Sequence, residues 1–149
     1  MNHICYINSR TNDFDYLREG KKTMLLRGVK QKKAPYECVF PGDRIYFSDE
    51  TGEIHLSSEV GSVLNFTRHG KISLKDVLKK HRDEIQIGKN RARKLKKKEF
   101  FVLIKLKNTV QTDDVNIDHV VFRDRNAWIM AGDVETGHKR GIKIQIRIK

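Results

Sequence analysis

The apolar positions of this chain fall into short separate runs. Their spacing switches repeatedly between the two-residue period of a strand and the three-to-four-residue period of a helix. "HICYINS" near the N-terminus reads as a strand with Ile4, Tyr6 and Cys5 inward. In "TNDFDYLREG" an Asn or Asp can cap a short helix, Phe14 and Leu17 share a face, and Gly20 is a stop. "TMLLRG" is a second strand. Val29 to Phe40 is a basic loop holding Pro35, and Pro41, Gly42 and Asp43 form a turn before the strand "RIYFSD". "DETGE" predicts a hairpin turn centred on Gly52, followed by the long strand "IHLSSEVGSVLNF", in which Gly61 marks a bulge.

"SLKDVLKKHRDEI" is the clearest helix, with Ser73 as cap and Leu74, Val77, Leu78 and Ile85 in one apolar stripe. "KNRARKLKKK" is a charge run with the length of a second short helix. "FFVLIKLKN" is almost continuously apolar, as an interior strand is. Thr112 to Gly141 has no clear period and contains the single Trp, and "IKIQIRIK" alternates Ile142, Ile144, Ile146 and Ile148 with polar residues. There are no repeats and no low-complexity linker, so residues 1–149 read as one domain. Strands dominate without regular βαβ alternation, which predicts an α+β fold built on a mixed barrel.

Charge changes this picture most. Lys and Arg number 31 against 19 Asp and Glu, for a net charge of +12, an excess that draws a chain toward polyanions. No apolar run has the length of a membrane span and no signal-peptide core is present, so no membrane contact is expected. Cys5 and Cys38 have no C-x-x-C pairing, which suits reduced thiols in a cytoplasmic protein. The six His are scattered without metal-ligand spacing, and Asp113 and Asp114 read as turn residues. No Gly-rich phosphate loop and no Ser-His-Asp arrangement is visible. Neither a metal nor another cofactor is expected, and the chain reads as a monomer.

The segment "GKKTMLLRG", followed by "PYECVFPGD", resembles the ASCH family of the PUA-like superfamily. That family carries a G-x-K-x-x-E-x-R motif where its first helix meets its second strand. Gly20, Lys22 and Arg27 fit it, and Leu25 stands where the glutamate belongs. The longer string is similar to a subgroup of small bacterial ASCH-like proteins that also lack this acid. The resemblance implies a small open β-barrel of about six strands with two or three flanking helices and a cleft between them. Related domains bind RNA, modified bases or nucleotides. Some ASCH-type proteins act as ribonucleases or as amidohydrolases of acetylated cytidine, the latter through the motif Lys, a Thr at the glutamate position and a distant Glu. Lys22 keeps the first of these. Leu25 cannot supply the second, and Thr23 is a poor substitute because it points to the opposite face of a strand.

The resemblance puts Lys22 in the cleft, where it would meet a phosphate. Arg27, five residues on, suits either a ligand fork or a tie to Asp43 or Glu59. In a regular strand the two face opposite sides, so only a bulge or the helix-to-strand turn brings them together. Lys30, Lys32 and Lys33 flank Tyr36, a set suited to holding phosphates and stacking a base, and equally suited to a solvated loop. Arg91, Arg93, Lys94 and Lys97 belong to a run of seven cations with no acid until Glu99, which points to phosphate contact without base specificity. Trp128, with Arg123, Arg125 and Asp133 near it in sequence, is a core residue or the wall of a base pocket. The favoured function is a binding module for nucleic acid, RNA first, or a nucleotide. The alternatives are a small hydrolase of RNA or a modified nucleoside with Lys22 in its cleft, and an adaptor for an acidic protein.

Overall fold

The strands pair into a six-stranded sheet in the order β2-β5-β4-β3-β1-β7 in a computed structural model that describes residues 1–112, 115–116, 128–131 and 142–143. The elements are β1 (Asn2–Tyr6), α1 (Asp13–Arg18), β2 (Met24–Val29), β3 (Arg44–Ser48), β4 (Ile54–Thr67), α2 (Leu74–Lys80), α3 (Arg82–Ile85), α4 (Lys89–Leu95), β5 (Phe100–Gln111), β6 (Val115–Asn116), β7 (Trp128–Ala131) and β8 (Ile142–Lys143). In the main sheet β1 and β3 run parallel, and the remaining neighbours are antiparallel. β6 and β8 form a separate two-stranded parallel pair.

The sheet is buried on both faces along β5, which is why that strand reads as an unbroken apolar run. Val102, Ile104 and Leu106 join a core with Cys5, Leu17, Leu25 and Phe47. The alternate residues Phe101 and Leu103 join a second core with Leu26, Phe66, Val77 and Ile85, under the helices. β2 divides in the same way, Leu25 to one core and Leu26 to the other. The sheet curls into a half-barrel. Arg27 of β2 donates to the Tyr6 carbonyl of β1 at 2.9 Å although the two strands stand four places apart in the sheet order.

Several expectations are met at the level of single residues. Ser73 accepts the Asp76 N–H and caps α2, and Leu74, Val77, Leu78 and Ile85 all reach the second core. The strand register shifts between Val60 and Ser62, which places the bulge at Gly61. The expected single helix over Ser73–Ile85 is two, because His81 leaves helical geometry at φ −113° and ψ 25°. Four helices, not two or three, therefore flank the sheet among the described residues. The irregular segment expected from Thr112 to Gly141 contains β7, an edge strand registered antiparallel on β1. Asp113, Asp114, Arg123, Arg125, Asp133 and the alternating Ile144–Ile148 lie outside the described residues. No helix among the described residues is long and apolar enough to cross a membrane.

Candidate functional site

The site begins where α1 ends. Gly20 adopts φ +75°, and the N–H groups of Lys21 and Lys22 both donate to the Tyr16 carbonyl, at 2.9 and 3.0 Å. This left-handed stop turns the chain back beneath α1 before β2 starts. Lys22 thus enters the interior, with 3% of its surface exposed. Its Nζ donates to the Ile85 carbonyl at 2.5 Å. Ile85 is the last residue of α3, so that carbonyl has no partner within its own helix. Burial drives the Lys22 ammonium down to about 8; the Asp13 carboxylate opposes the shift, and Arg91 and Arg27 reinforce it.

Asp13 is the acid of the cluster. It shares the buried side of α1 with Leu17, one turn on. Arg91 of α4 grips it with both guanidinium nitrogens, at 2.6 and 2.9 Å, and also reaches the Gln86 carbonyl at 3.4 Å. Arg27 donates to Cys5 Sγ and to the Tyr6 carbonyl, both at 2.9 Å. Burial pushes the Cys5 thiol up, against the pull of Arg27. One acid and three cations thus share a cluster, with Asp13 and Lys22 buried and Arg27 and Arg91 half-buried.

Outside the Arg91–Asp13 pair a cavity of about 440 Å³ opens between two walls. Arg10, Thr11, Asn12 and Tyr16 form one wall; Gln86, Ile87, Gly88 and Arg91 form the other. Among the residues singled out in the sequence, only Arg91 lines it. Lys22 sits behind that wall.

The expected residues therefore part company. Lys22 and Arg27 do meet in one cluster, because Lys22 lies in the helix-to-strand turn rather than on β2. Arg27 binds Cys5 and Tyr6 instead of Asp43 or Glu59, since the curl of the sheet brings β1, not β3 or β4, over its side chain. Asp43 instead takes His3 Nε2 at 2.8 Å, and Glu59 takes Lys107 at 3.5 Å. Tyr36 is buried against Phe100, with ring centroids 5.0 Å apart, so the loop presents its lysines without that aromatic face. Arg91 is engaged by Asp13 and is not a free phosphate ligand. Trp128 is half-buried on β7, where its Nε1 donates to His3 Nδ1 at 3.1 Å. It pairs in register with Cys5 and lines none of the cavity.

The other cations remain exposed: Lys30, Lys32 and Lys33 in the loop, Arg93 and Lys94 on α4, and Lys96 and Lys97 beyond it. Only Lys32 of these has an acidic partner within 4 Å among the described residues, Glu37 at 3.8 Å. The two basic segments adjoin. Glu99 N–H donates to the Val29 carbonyl at 3.1 Å. A Cβ on Gly28 would lie 3.0 Å from Lys98 Cβ and 3.1 Å from Leu95 Cδ2, so the end of β2 sits directly under the end of α4.

Sequence reading missed Asp13, Tyr16 and Gln86. A signal for Asp13 existed: it stands four residues before Leu17, on the helix face that must be buried.

No family model matches the chain, and no curated protein matches it in sequence. Solved structures do match in shape. The ASCH protein of Zymomonas mobilis superposes with a TM-score of 0.54 at 11% identity, over 74% of this chain and 69% of that one. A serine-to-alanine variant of the same protein gives a TM-score of 0.55 at 11% identity, over 74% of this chain and 70% of that one. The chain shares its α+β, curled half-barrel fold with this ASCH protein.

Proposed function

We propose that this chain binds nucleic acid, RNA first, on the basic face where the 30–33 loop meets α4, with the adjoining cavity taking a base or nucleotide. The observation that carries the reading is the contact of Gly28 and Val29 with Leu95, Lys98 and Glu99. It turns two separate lysine-rich segments into one surface. Cations arranged so hold phosphates, and each phosphate neutralised releases counterions. Arg10 and Arg91 extend the charge to the cavity mouth, where Tyr16 offers an aromatic face and Asn12 and Gln86 offer amide groups.

Filter binding of a uridine oligonucleotide across a salt series tests this. Affinity falls steeply with salt, and replacing Arg93, Lys94 and Lys97 by Ala lowers the log–log slope by about two, from roughly 0.7 per single-strand phosphate. Replacing Lys30, Lys32 and Lys33 lowers it by a similar amount. Arg91 is left in place because it holds Asp13. A flat salt profile, or unchanged slopes in both triple variants, sinks the reading.

One observation favours a hydrolase as second reading: a lysine brought to about 8 is near the value a general base needs at neutral pH. Against it stand the burial of Lys22 and its bond to Ile85. Release of acetate from an acetylated nucleoside, lost in Lys22→Met, would favour that reading.

A further inference from the structure

The hairpin between β3 and β4 gathers ligating groups that are not among the residues lining the cavity. Asp49, Glu53 and His55 each bring one ligand atom within 4.8 Å of the others. His55 Nε2 lies 2.7 Å from Asp49 Oδ2 and 4.0 Å from Glu53 Oε2. The backbone builds this convergence. Gly52 at φ +84° permits the tight turn. Phe47 pairs with Leu56 and Ser48 with Ile54, so His55 is the extra residue of a bulge. A bulged residue leaves the alternation of its strand, and His55 is thereby re-aimed toward Asp49.

Two of the three groups are held in advance. Asp49 Oδ1 accepts from Thr51 N at 2.8 Å and from Thr51 Oγ1 at 2.5 Å, which leaves Oδ2 directed at His55. Phe14 of α1 packs edge-on against the His55 ring, with centroids 5.0 Å apart and planes at 72°. The Glu53 side chain is the open side, 62% exposed, against 12% for Asp49.

The geometry points to a divalent-cation site at this hairpin, taking Zn²⁺ or a similarly borderline ion through His55 Nε2, Asp49 Oδ2 and a Glu53 oxygen. Imidazole selects against the hard ions that prefer oxygen alone. Two carboxylates balance the charge of the ion locally, within a chain that is otherwise strongly positive. Three protein ligands leave one tetrahedral position for water or another ligand. On binding, the metal takes the place of the hydrogen between Nε2 and Oδ2 and the neutral ring carries its N–H on Nδ1, while Nε2 and Oδ2 spread to roughly 3.3 Å around bonds of about 2 Å. Thr51 stays on Oδ1 as the orienting donor. The expectation of no metal weighed histidine spacing and the Asp113–Asp114 pair, and a site with one imidazole and two carboxylates escapes both.

Isothermal titration of the chelator-stripped chain with ZnCl₂ tests the site, in a Cys38→Ser background that removes the partly exposed thiol. One equivalent binds, and the His55 imidazole resonances move in ¹H–¹⁵N spectra. Glu53→Gln weakens binding at least tenfold, and Thr51→Val weakens it about 10–100-fold. His81→Gln, at the separate His81–Glu84 pair, leaves binding unchanged. Absent binding, or parental affinity in both Glu53→Gln and His55→Gln, overturns the proposal and leaves an ion pair that merely ties the hairpin. If His55→Gln fails to fold, Glu53→Gln decides alone, because its exposed side chain carries no packing.

Discussion

Arg91 and Asp13, 78 residues apart, form a two-pronged ion pair that fastens the basic helix α4 to α1. Burial pushes the Asp13 carboxyl up. The Arg91 hydrogen bonds and the charges of Lys22, Arg91 and Arg27 outweigh that push and hold it below the usual range. Its contribution to stability is present above the unfolded value near pH 3.9 and is lost as pH falls through the lower folded value. Arg91→Ala leaves the carboxylate without its fork. Because the Arg91 side chain is 37% exposed, solvent softens the loss to roughly 2–3 kcal/mol in urea melts. Asp13→Asn loses the acid dependence as well. A variant at Arg91 as stable as the parent would show that the pair contributes nothing.

Lys22 has the opposite pH signature. In the fold it gives up its proton near pH 8, and in the unfolded chain near 10.5. Between these values the unfolded state holds more protons, so stability rises with pH across that window and is level below it. Lys22→Met lacks the dependence. Between pH 7 and 10.5 the parent gains about 3 kcal/mol on the variant, at about 1.36 kcal/mol per unit. The difference between the two denaturation curves isolates Lys22 from all other titrations. Parallel curves would mean that Lys22 keeps an ordinary ammonium.

Leu25 stands at the motif's acidic position and is 2% exposed in the core with Cys5 and Leu17. Leu25→Glu removes an apolar burial worth roughly 1.5–3 kcal/mol and places a carboxyl there. Arg27, two residues on along β2, is the cation best placed to receive it. Calorimetry finds Leu25→Glu melting well below the parent, and the double variant with Arg27→Ala lower still. Were the single variant to melt like the parent, the inner face of β2 would have to admit water.

His3 and Trp128 fix each other's state. Trp128 Nε1 donates to His3 Nδ1, so that nitrogen keeps its lone pair while Nε2–H donates to Asp43. Burial lowers the His3 pKa, and Asp43 opposes the shift. Its contribution is present above the unfolded value near 6.5 and is lost as pH falls through the lower folded value. A proton on Nδ1 would face the indole N–H. The single Trp reports this directly: its emission shifts and stability declines as pH drops from 7 to 5. Constant emission and stability over that interval would refute the assignment.

Most elements of the first hundred residues were legible in the sequence, because the apolar runs there keep one period and end in a recognisable turn; the break at His81, inside one continuous apolar stripe, was not. Gly20, Gly52 and Ser73 each do what their residue type predicts. β7 was not legible: four residues pairing at a sheet edge leave too short a run to show a period. The site was half legible. Lys22 and the lysine runs stand out by charge, but their partners are set by tertiary contacts. Nothing near Lys22 in sequence announces the Ile85 carbonyl, and nothing near Arg91 announces Asp13. Tyr36 looked available because a tyrosine amid lysines suits stacking, while Phe100, which covers it, comes from a distant strand.

Among the described residues β2 has a neighbour in the main sheet on one side only, and that neighbour is β5. The ribosome makes Met24–Val29 long before it makes Phe100–Gln111. Until β5 arrives, Leu25 and Leu26 have no strand beside them, and Glu99 has not yet fixed Val29 under the end of α4. A growing chain therefore carries the lysines of both basic segments before it owns the surface that arranges them. The basic face is a late product of synthesis, available only to a chain whose sheet has closed.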